Sequence, residues 1–328
     1  MKFSRYMNEW LYGDNGYYKN FKAIGKAGDF YTAVSTSSFF GASIGNYFYK
    51  LIQKDNFKKD GWLIEIGAHK GYLLCDIIQW LYTLDPTLVK TLKFAIVERQ
   101  KEVQKEQLRY IEERFGADIQ IKHFDSIDEV FVDYAFFVAN EIFDAFPCEL
   151  IKDGKQAFVK DNKIEWVSAE PKLLEFASKH REVKGEIAIG YEEFAFGMAK
   201  GVKSCDFVSF DYGERLVRND FSIRVYKKHE TFPLFDEELK LEEVFKSADI
   251  TYDVNFGHVI DSFIDAGFKL DSYETQARAL IRFGLIDILE QFAKQTTQER
   301  YLREADKIKT LISPTIMGDK FKMVHFYK

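Results

Sequence analysis

The sequence predicts an α/β fold: a parallel sheet with helices on both faces, an N-terminal helical extension and an inserted region of β-hairpins and helices. Three observations predict it. The runs Trp62–Ile66, Phe94–Val97 and Tyr134–Ala139 are short and nearly continuous in apolar residues, as strands buried on both faces are. Helical patterns separate them. Polar residues follow at their carboxyl ends, at Gly67–Gly71, Glu98 and Asn140–Asp144, where ligands of such sheets bind.

The composition fits a soluble enzyme-sized chain. At 328 residues it can hold one large domain or a core with an elaboration. Hydrophobic residues make up 46% and charged residues 30%, the balance of a globular protein rather than a disordered or membrane one. A net charge of -6 argues against a nucleic-acid partner, which needs a basic face. Cys75, Cys148 and Cys205 are scattered, so neither a disulfide framework nor a metal site is expected, and a reducing, cytoplasmic location is predicted. The start Met1-Lys2-Phe3-Ser4-Arg5 lacks an apolar leader, and Glu9 and Asp14 disfavour a transit peptide. No apolar run approaches the ~20 residues that span a bilayer, so no membrane association is expected.

In chain order, residues 1–60 read as the N-terminal helical extension. Tyr6, Trp10 and Leu11 form one amphipathic turn before the break at Gly13-Asp14-Asn15-Gly16, and Phe39 to Gln53 carries Phe40, Ile44, Tyr47, Phe48 and Leu51 on one side. The core is assigned to 61–145 and 201–328. Its strands are Trp62–Ile66, Lys93–Glu98, Ile119–His123, Tyr134–Ala139 and Cys205–Phe210, with a last strand at Lys322–Tyr327. Leu73–Leu84 is a helix, and Lys101–Phe115 is a charged helix that Gly116 stops. Residues 146–200 are the insertion. Asp153-Gly154 and Asp161-Asn162 mark β-hairpins there, and 171–180 and 191–200 read as helices. The insertion serves either as a lid or substrate platform, or as an elaboration without a role in the site.

The turn Glu65-Ile66-Gly67-Ala68-His69-Lys70-Gly71 and Glu98 at the end of the next strand match how α/β sheets hold a nucleoside cofactor, with ribose hydroxyls on the carboxylate. NAD and S-adenosylmethionine both carry a nucleoside. The dinucleotide pattern wants three glycines for a pyrophosphate, whereas here His69-Lys70 separate Gly67 from Gly71. Acidic Glu65 suits a cationic ligand better than a pyrophosphate. After the third strand, Phe124 and Asp125 are placed to meet adenine, or Asp125 or Ser126 caps a helix. Asn140-Glu141-Ile142-Phe143-Asp144-Ala145 follows a wholly apolar strand. If the chain turns helical there, Glu141 and Asp144 share a face and can hold a guanidinium for methyl transfer, or they are helix-end acids. Asp211-Tyr212-Gly213 is either a substrate contact or a turn. His229 and His258 read as surface or capping residues.

Together these segments resemble the MidA-type family of S-adenosylmethionine-dependent methyltransferases, which includes the mitochondrial arginine methyltransferase that helps assemble respiratory complex I. The likeness runs through Gly16-Tyr17-Tyr18, Gly28-Asp29-Phe30-Tyr31-Thr32-Ala33, Phe40-Gly41, Glu65-Ile66-Gly67-Ala68 and Asn140 to Pro147. It continues through Asp211-Tyr212-Gly213, Arg224-Val225-Tyr226, His229, Asp249-Ile250-Thr251 and Met317-Gly318. The resemblance implies a class I, Rossmann-like methyltransferase sheet. It implies that S-adenosylmethionine lies on Glu65, Gly67, Ala68, Gly71 and Glu98, and that the loop with Gly28, Asp29, Tyr31 and Thr32 closes over it. It places Asn140, Glu141 and Asp144 on the acceptor side. The family is glycine-rich after Ala68, where this chain has His69-Lys70.

The expected activity is methyl transfer to a protein nitrogen, an arginine in the first instance. Its rivals are a non-catalytic assembly or scaffolding protein that keeps the fold, and a nicotinamide-dependent oxidoreductase. The expected partner is a protein substrate, and self-association into a homodimer is left open.

Overall fold

The computed structural model describes residues 1–19, 32–54, 56–180, 183–216, 218–227 and 230–328. In chain order the strands are β1 (Trp62–Ile66), β2 (Lys93–Val97), β3 (Ile121–Phe124), β4 (Val132–Asn140), β5 (Cys148–Lys152), β6 (Lys155–Lys160), β7 (Lys163–Ser168) and β8 (Lys184–Ala188). They continue with β9 (Val202–Glu214), β10 (Arg224–Lys227), β11 (Glu230–Pro233), β12 (Asp249–Thr251), β13 (Val254–Asn255), β14 (Lys269–Thr275) and β15 (Phe321–Tyr327).

The chain packs into two compact units. One holds residues 32–140, 196–211 and 267–328, and the other holds 1–31, 141–195 and 212–266. The boundaries differ from the sequence partition, most of all at residues 32–60 and 212–266. Residues 32–60 join the sheet unit because the aromatic face of the helix Phe39–Gln53 packs there: Phe40 meets Phe210 edge-on at 4.9 Å and Phe48 lies 4.6 Å from Phe136. Residues 212–266 join the unit that holds the insertion.

The sheet unit has the strand order β14-β15-β9-β4-β1-β2-β3. β1 pairs in parallel with β2 on one side and β4 on the other, and β2–β3 and β4–β9 are parallel too. Cys205 and Lys328 exchange both backbone hydrogen bonds, at 3.0 and 2.9 Å, which is the antiparallel pattern at β15. β14 then pairs with β15 antiparallel. Leu63, Ile64, Phe136, Phe137 and Phe207 are fully buried, which explains the continuous apolar runs. The strand order reverses between β1 and β4, and such a switch point opens a crevice beyond the carboxyl ends. The register brings these ends level. Ile66 is opposite both Val97 and Ala139, and Val97 is opposite Phe124. Gly67, Glu98, Asp125 and Asn140 therefore leave the sheet along one rim.

The second unit starts with the helix Phe3–Tyr12, which buries Phe3, Tyr6, Met7, Trp10 and Leu11 at helical spacing. Trp10 Nε1 donates to the Ala248 carbonyl at 2.7 Å, and Tyr6 stacks on Phe245 at 4.6 Å. β7-β6-β5-β8 form an antiparallel sheet that carries the expected hairpins. The helices Pro171–His180 and Tyr191–Gly201 fall where the sequence put them, with β8 between them as a strand that no pattern announced. A second sheet, β11-β10-β12, lies where no strands were expected.

Candidate functional site

In the sheet unit, the turn after β1 alternates its backbone handedness. Gly67, His69 and Gly71 all have positive φ, at 70°, 47° and 79°. Glycine adopts this region freely, whereas His69 pays the ~1–2 kcal/mol of a non-glycine residue held left-handed. At Gly71 an added Cβ would find its nearest neighbour at 3.8 Å, so its backbone angle demands glycine there rather than lack of space. The turn is fixed at both ends: Gly67 N donates to the Val97 carbonyl at 3.2 Å, and Gly71 N to the Ala68 carbonyl at 2.7 Å.

Glu65 has a structural task in this turn. Gly71 is the N-cap of the helix Tyr72–Leu84 and has no side chain to offer the first amides. Glu65 Oε2 accepts instead from Leu74 N at 2.9 Å, so a carboxylate from β1 caps the helix from outside. Burial dominates its ionisation and pushes its pKa up to about 8, although the Leu74 bond pulls the other way.

Glu98 directly follows β2, with its backbone N–H on the Phe124 carbonyl at 2.9 Å, and its Oε1 accepts from Gln100 N at 2.9 Å. Burial raises its pKa as well. Asp125 pairs with Lys101 Nζ at 2.5 Å and accepts from Gln104 Nε2 at 3.0 Å, and the Lys101 bond holds its pKa below the ordinary range. Phe124 is buried, with Lys122 Nζ 4.4 Å from its ring centre and Trp62 6.2 Å away. Ala68 is buried and Gly67 exposed on the rim. Thr32 caps the short helix Ala33–Thr36 in a reciprocal capping box with Ser35. Gly28, Asp29 and Tyr31 lie outside the described residues.

In the second unit, the segment after Asn140 does not turn α-helical, the condition on which Glu141 and Asp144 would share a face. Glu141 has φ 53°, and a single 3₁₀ turn follows at Phe143–Ala145. Glu141 and Asp144 therefore do not share a helical face, because the left-handed residue breaks the helical path before it begins. Asp144 is buried and accepts from Tyr212 Oη at 2.5 Å. Tyr212 Oη also lies 2.6 Å from Thr251 Oγ1, and the Arg224 guanidinium sits 4.7 Å from the Tyr212 ring centre. Burial raises the Asp144 pKa, against the Tyr212 hydrogen bond and the charge of Arg224. Arg224 in turn binds Asp253 Oδ1 at 2.6 Å and donates to Tyr226 Oη at 2.8 Å. The turn itself is pinned at the Phe143 carbonyl, which accepts from Tyr191 Oη at 2.8 Å and Tyr252 Oη at 3.3 Å.

The structure revises some of the sequence readings and adds residues that they missed. Asp211-Tyr212-Gly213 is not a turn but part of β9, and Gly213 lies opposite Val254 of β13. His258 is neither surface nor merely capping: it is buried, with Nε2 2.8 Å from Glu192 Oε1. His229 lies outside the described residues. Gln104 and Gln107 escaped notice inside a charged helix, yet both are buried beside Val103 and Ile111. Polar side chains on the apolar stripe of an amphipathic helix were the available signal.

A parallel sheet with a left-handed glycine turn and the carboxylates Glu65, buried, and Glu98, half-buried, beside its switch point defines a nucleoside-binding α/β protein. Known proteins narrow the class. Residues 43–274 match the family described as "Putative S-adenosyl-L-methionine-dependent methyltransferase", and the chain belongs to that family. It is 24% identical to the Caenorhabditis elegans protein arginine methyltransferase NDUFAF7 homolog, mitochondrial, over 94% of this chain and 78% of that one. It is 23% identical to the Rattus norvegicus protein arginine methyltransferase NDUFAF7, mitochondrial, over 99% and 79%. A Burkholderia thailandensis crystal structure bound to S-adenosyl-homocysteine superposes with a TM-score of 0.84 at 22% identity, covering 100% of this chain and 88% of that chain, a likeness of fold.

The cofactor is S-adenosylmethionine, which decides against the nicotinamide alternative. The rim residues fit it chemically. Glu98, directly after β2, is a carboxylate suited to a diol, and Glu65 of neighbouring β1 fixes the helix end beside the turn.

Proposed function

We propose that this chain transfers the methyl group of S-adenosylmethionine to an arginine side chain of a protein. The observation that carries the reading is Glu141. It is a carboxylate held at φ 53°, immediately after the strand-end residue Asn140 on the rim of the switch point. Non-glycine residues in left-handed conformations cluster where geometry serves a function. Peptide continuity keeps the Cα atoms of Asn140 and Glu141 about 3.8 Å apart. The names of the relatives support arginine as the acceptor.

When bound, S-adenosylmethionine supplies a methyl group already activated on a sulfonium. The chain has to bind, orient and balance charge. In this reading Glu98 accepts from the ribose hydroxyls, Gly67 and Gly71 let backbone approach the amino-acid end, and Glu65 caps the helix behind that turn. Phe124 and Asp125 lie at the adenine end. Glu141 accepts hydrogen bonds from the guanidinium and turns one nitrogen toward the methyl group, and Asn140 lines the same side. Asp144, bonded to Tyr212, holds the turn that presents Glu141.

The test is incubation of the protein with methyl-labelled S-adenosylmethionine and a cell extract, followed by hydrolysis and amino-acid analysis. Label in methylarginine is the expected result. Label only in methyl-lysine or a small molecule overturns the acceptor assignment, and absence of transfer by protein that binds the cofactor favours the scaffolding alternative.

A further inference from the structure

Gln107 is fully buried on the inner face of the helix Lys101–Phe115, where an apolar residue would otherwise stand. Its amide is used at both ends. Nε2 donates to the His69 carbonyl at 2.8 Å, and Oε1 lies 2.8 Å from His123 Nε2 at the end of β3. Gln107 Oε1 has no hydrogen to give, so His123 donates from Nε2 in this arrangement. One side chain thus ties the turn after β1 to β3. The tied residue of that turn is His69, the left-handed residue at φ 47° between two left-handed glycines.

We infer that Gln107 is a positioning residue for the cofactor turn: by bonding the His69 carbonyl it keeps a non-glycine residue in the conformation that glycine would adopt unaided. The inference rests on the cofactor lying on the Glu65–Gly71 turn. It explains how the turn keeps its alternating handedness with histidine at its centre. The left-handed conformation disfavours any residue with a Cβ, and an external donor to that residue's own carbonyl selects the peptide orientation that goes with it. Gln107 does not reach the cofactor in this account, and its whole effect passes through the backbone of residue 69. The buried amide is fully engaged at both ends, as a buried polar group must be, so its replacement by an apolar residue releases the turn without adding a new contact.

A double-mutant cycle tests this, with S-adenosyl-homocysteine binding to the full chain followed by calorimetry. Gln107→Leu in the wild-type background should weaken binding about tenfold, the effect of one well-placed hydrogen bond. In the His69→Gly background the same substitution should weaken it less than about threefold, because glycine holds the left-handed conformation without help. Thermal melts of each variant separate loss of fold from loss of binding. An equal loss in both backgrounds, or no loss in the wild-type background, overturns the inference. Glu98→Ala distinguishes the two failures. If it abolishes binding while Gln107→Leu does not weaken it, the positioning role falls and the cofactor placement stands. If neither variant alters binding, the placement itself falls, and the inference with it.

Discussion

Tyr212 donates its phenolic hydrogen to Asp144 at 2.5 Å, from β9, just before the residues that pair with β13, to the turn that follows Glu141. The acceptor is a buried carboxylate whose charged form burial disfavours and this bond favours. Tyr212→Phe should therefore raise the Asp144 pKa further and destabilise the protein by roughly 1.5–3 kcal/mol when Asp144 is ionised. Because the group titrates at higher pH in the variant, the deficit should grow as pH rises. Urea unfolding at pH 5 and pH 8 measures it, and a deficit that does not grow between them would remove Asp144 as the cause.

Glu65 sets a second pH dependence. Its folded pKa of about 8 stands above the unfolded value of 4.5, so the folded state binds the extra proton in between. Its contribution to stability is fully present below about pH 4.5 and is lost as pH rises toward 8, with a slope of at most about 1.4 kcal/mol per pH unit. Glu65→Gln should flatten that part of the stability profile of the cofactor-free protein. Denaturant midpoints of both proteins across this range, compared at matched pH, check it.

Glu186 clasps the segment before β10. Its Oε1 accepts from Ser222 N and Ile223 N at 2.8 and 2.9 Å, and its Oε2 from Ser222 Oγ at 3.0 Å. Glu186→Ala leaves the buried Ile223 amide without this acceptor and should cost about 1–3 kcal/mol. Hydrogen exchange at Ser222 and Ile223 should accelerate in the variant while exchange in β1 changes little.

His325 sits between two carboxylates, with Nε2 2.7 Å from Asp206 and Nδ1 3.0 Å from Asp271. Burial alone would lower its pKa, but the two carboxylate bonds outweigh it and raise the value. The stabilisation is present in full below the ordinary histidine pKa of about 6.5 and is lost as pH rises through the folded one. His325→Gln should remove the alkaline decline and destabilise the β14–β15 edge by ~2 kcal/mol near pH 6. Thermal melts at pH 6 and pH 9 read both effects.

The sequence revealed the sheet because parallel strands buried on both faces leave apolar runs, and the level register put their polar successors on one rim. The small sheet β11-β10-β12 was harder to read. β11 is mostly exposed and β12 is only three residues long, so neither alternation nor a continuous run marks them. Gly213 read as a turn signal, yet a Cβ there would stand 2.1 Å from the Val254 carbonyl oxygen: the glycine permits close strand approach. Glu141 and Asp144 were noticed as acids at the right strand end, but the left-handed backbone at Glu141 could not be foreseen, since nothing local demands it of a glutamate. His69 looked like a defect in the turn because its partner Gln107 is 38 residues away in sequence.

The most direct measurement pairs methyl transfer with S-adenosyl-homocysteine affinity in Glu141→Gln. If Glu141 orients the acceptor, transfer should fall by roughly a hundredfold, within the range of a lost positioning contact, while affinity for S-adenosyl-homocysteine stays within about twofold of the intact protein. Transfer that persists at the intact rate, or affinity that falls along with transfer, would contradict that role.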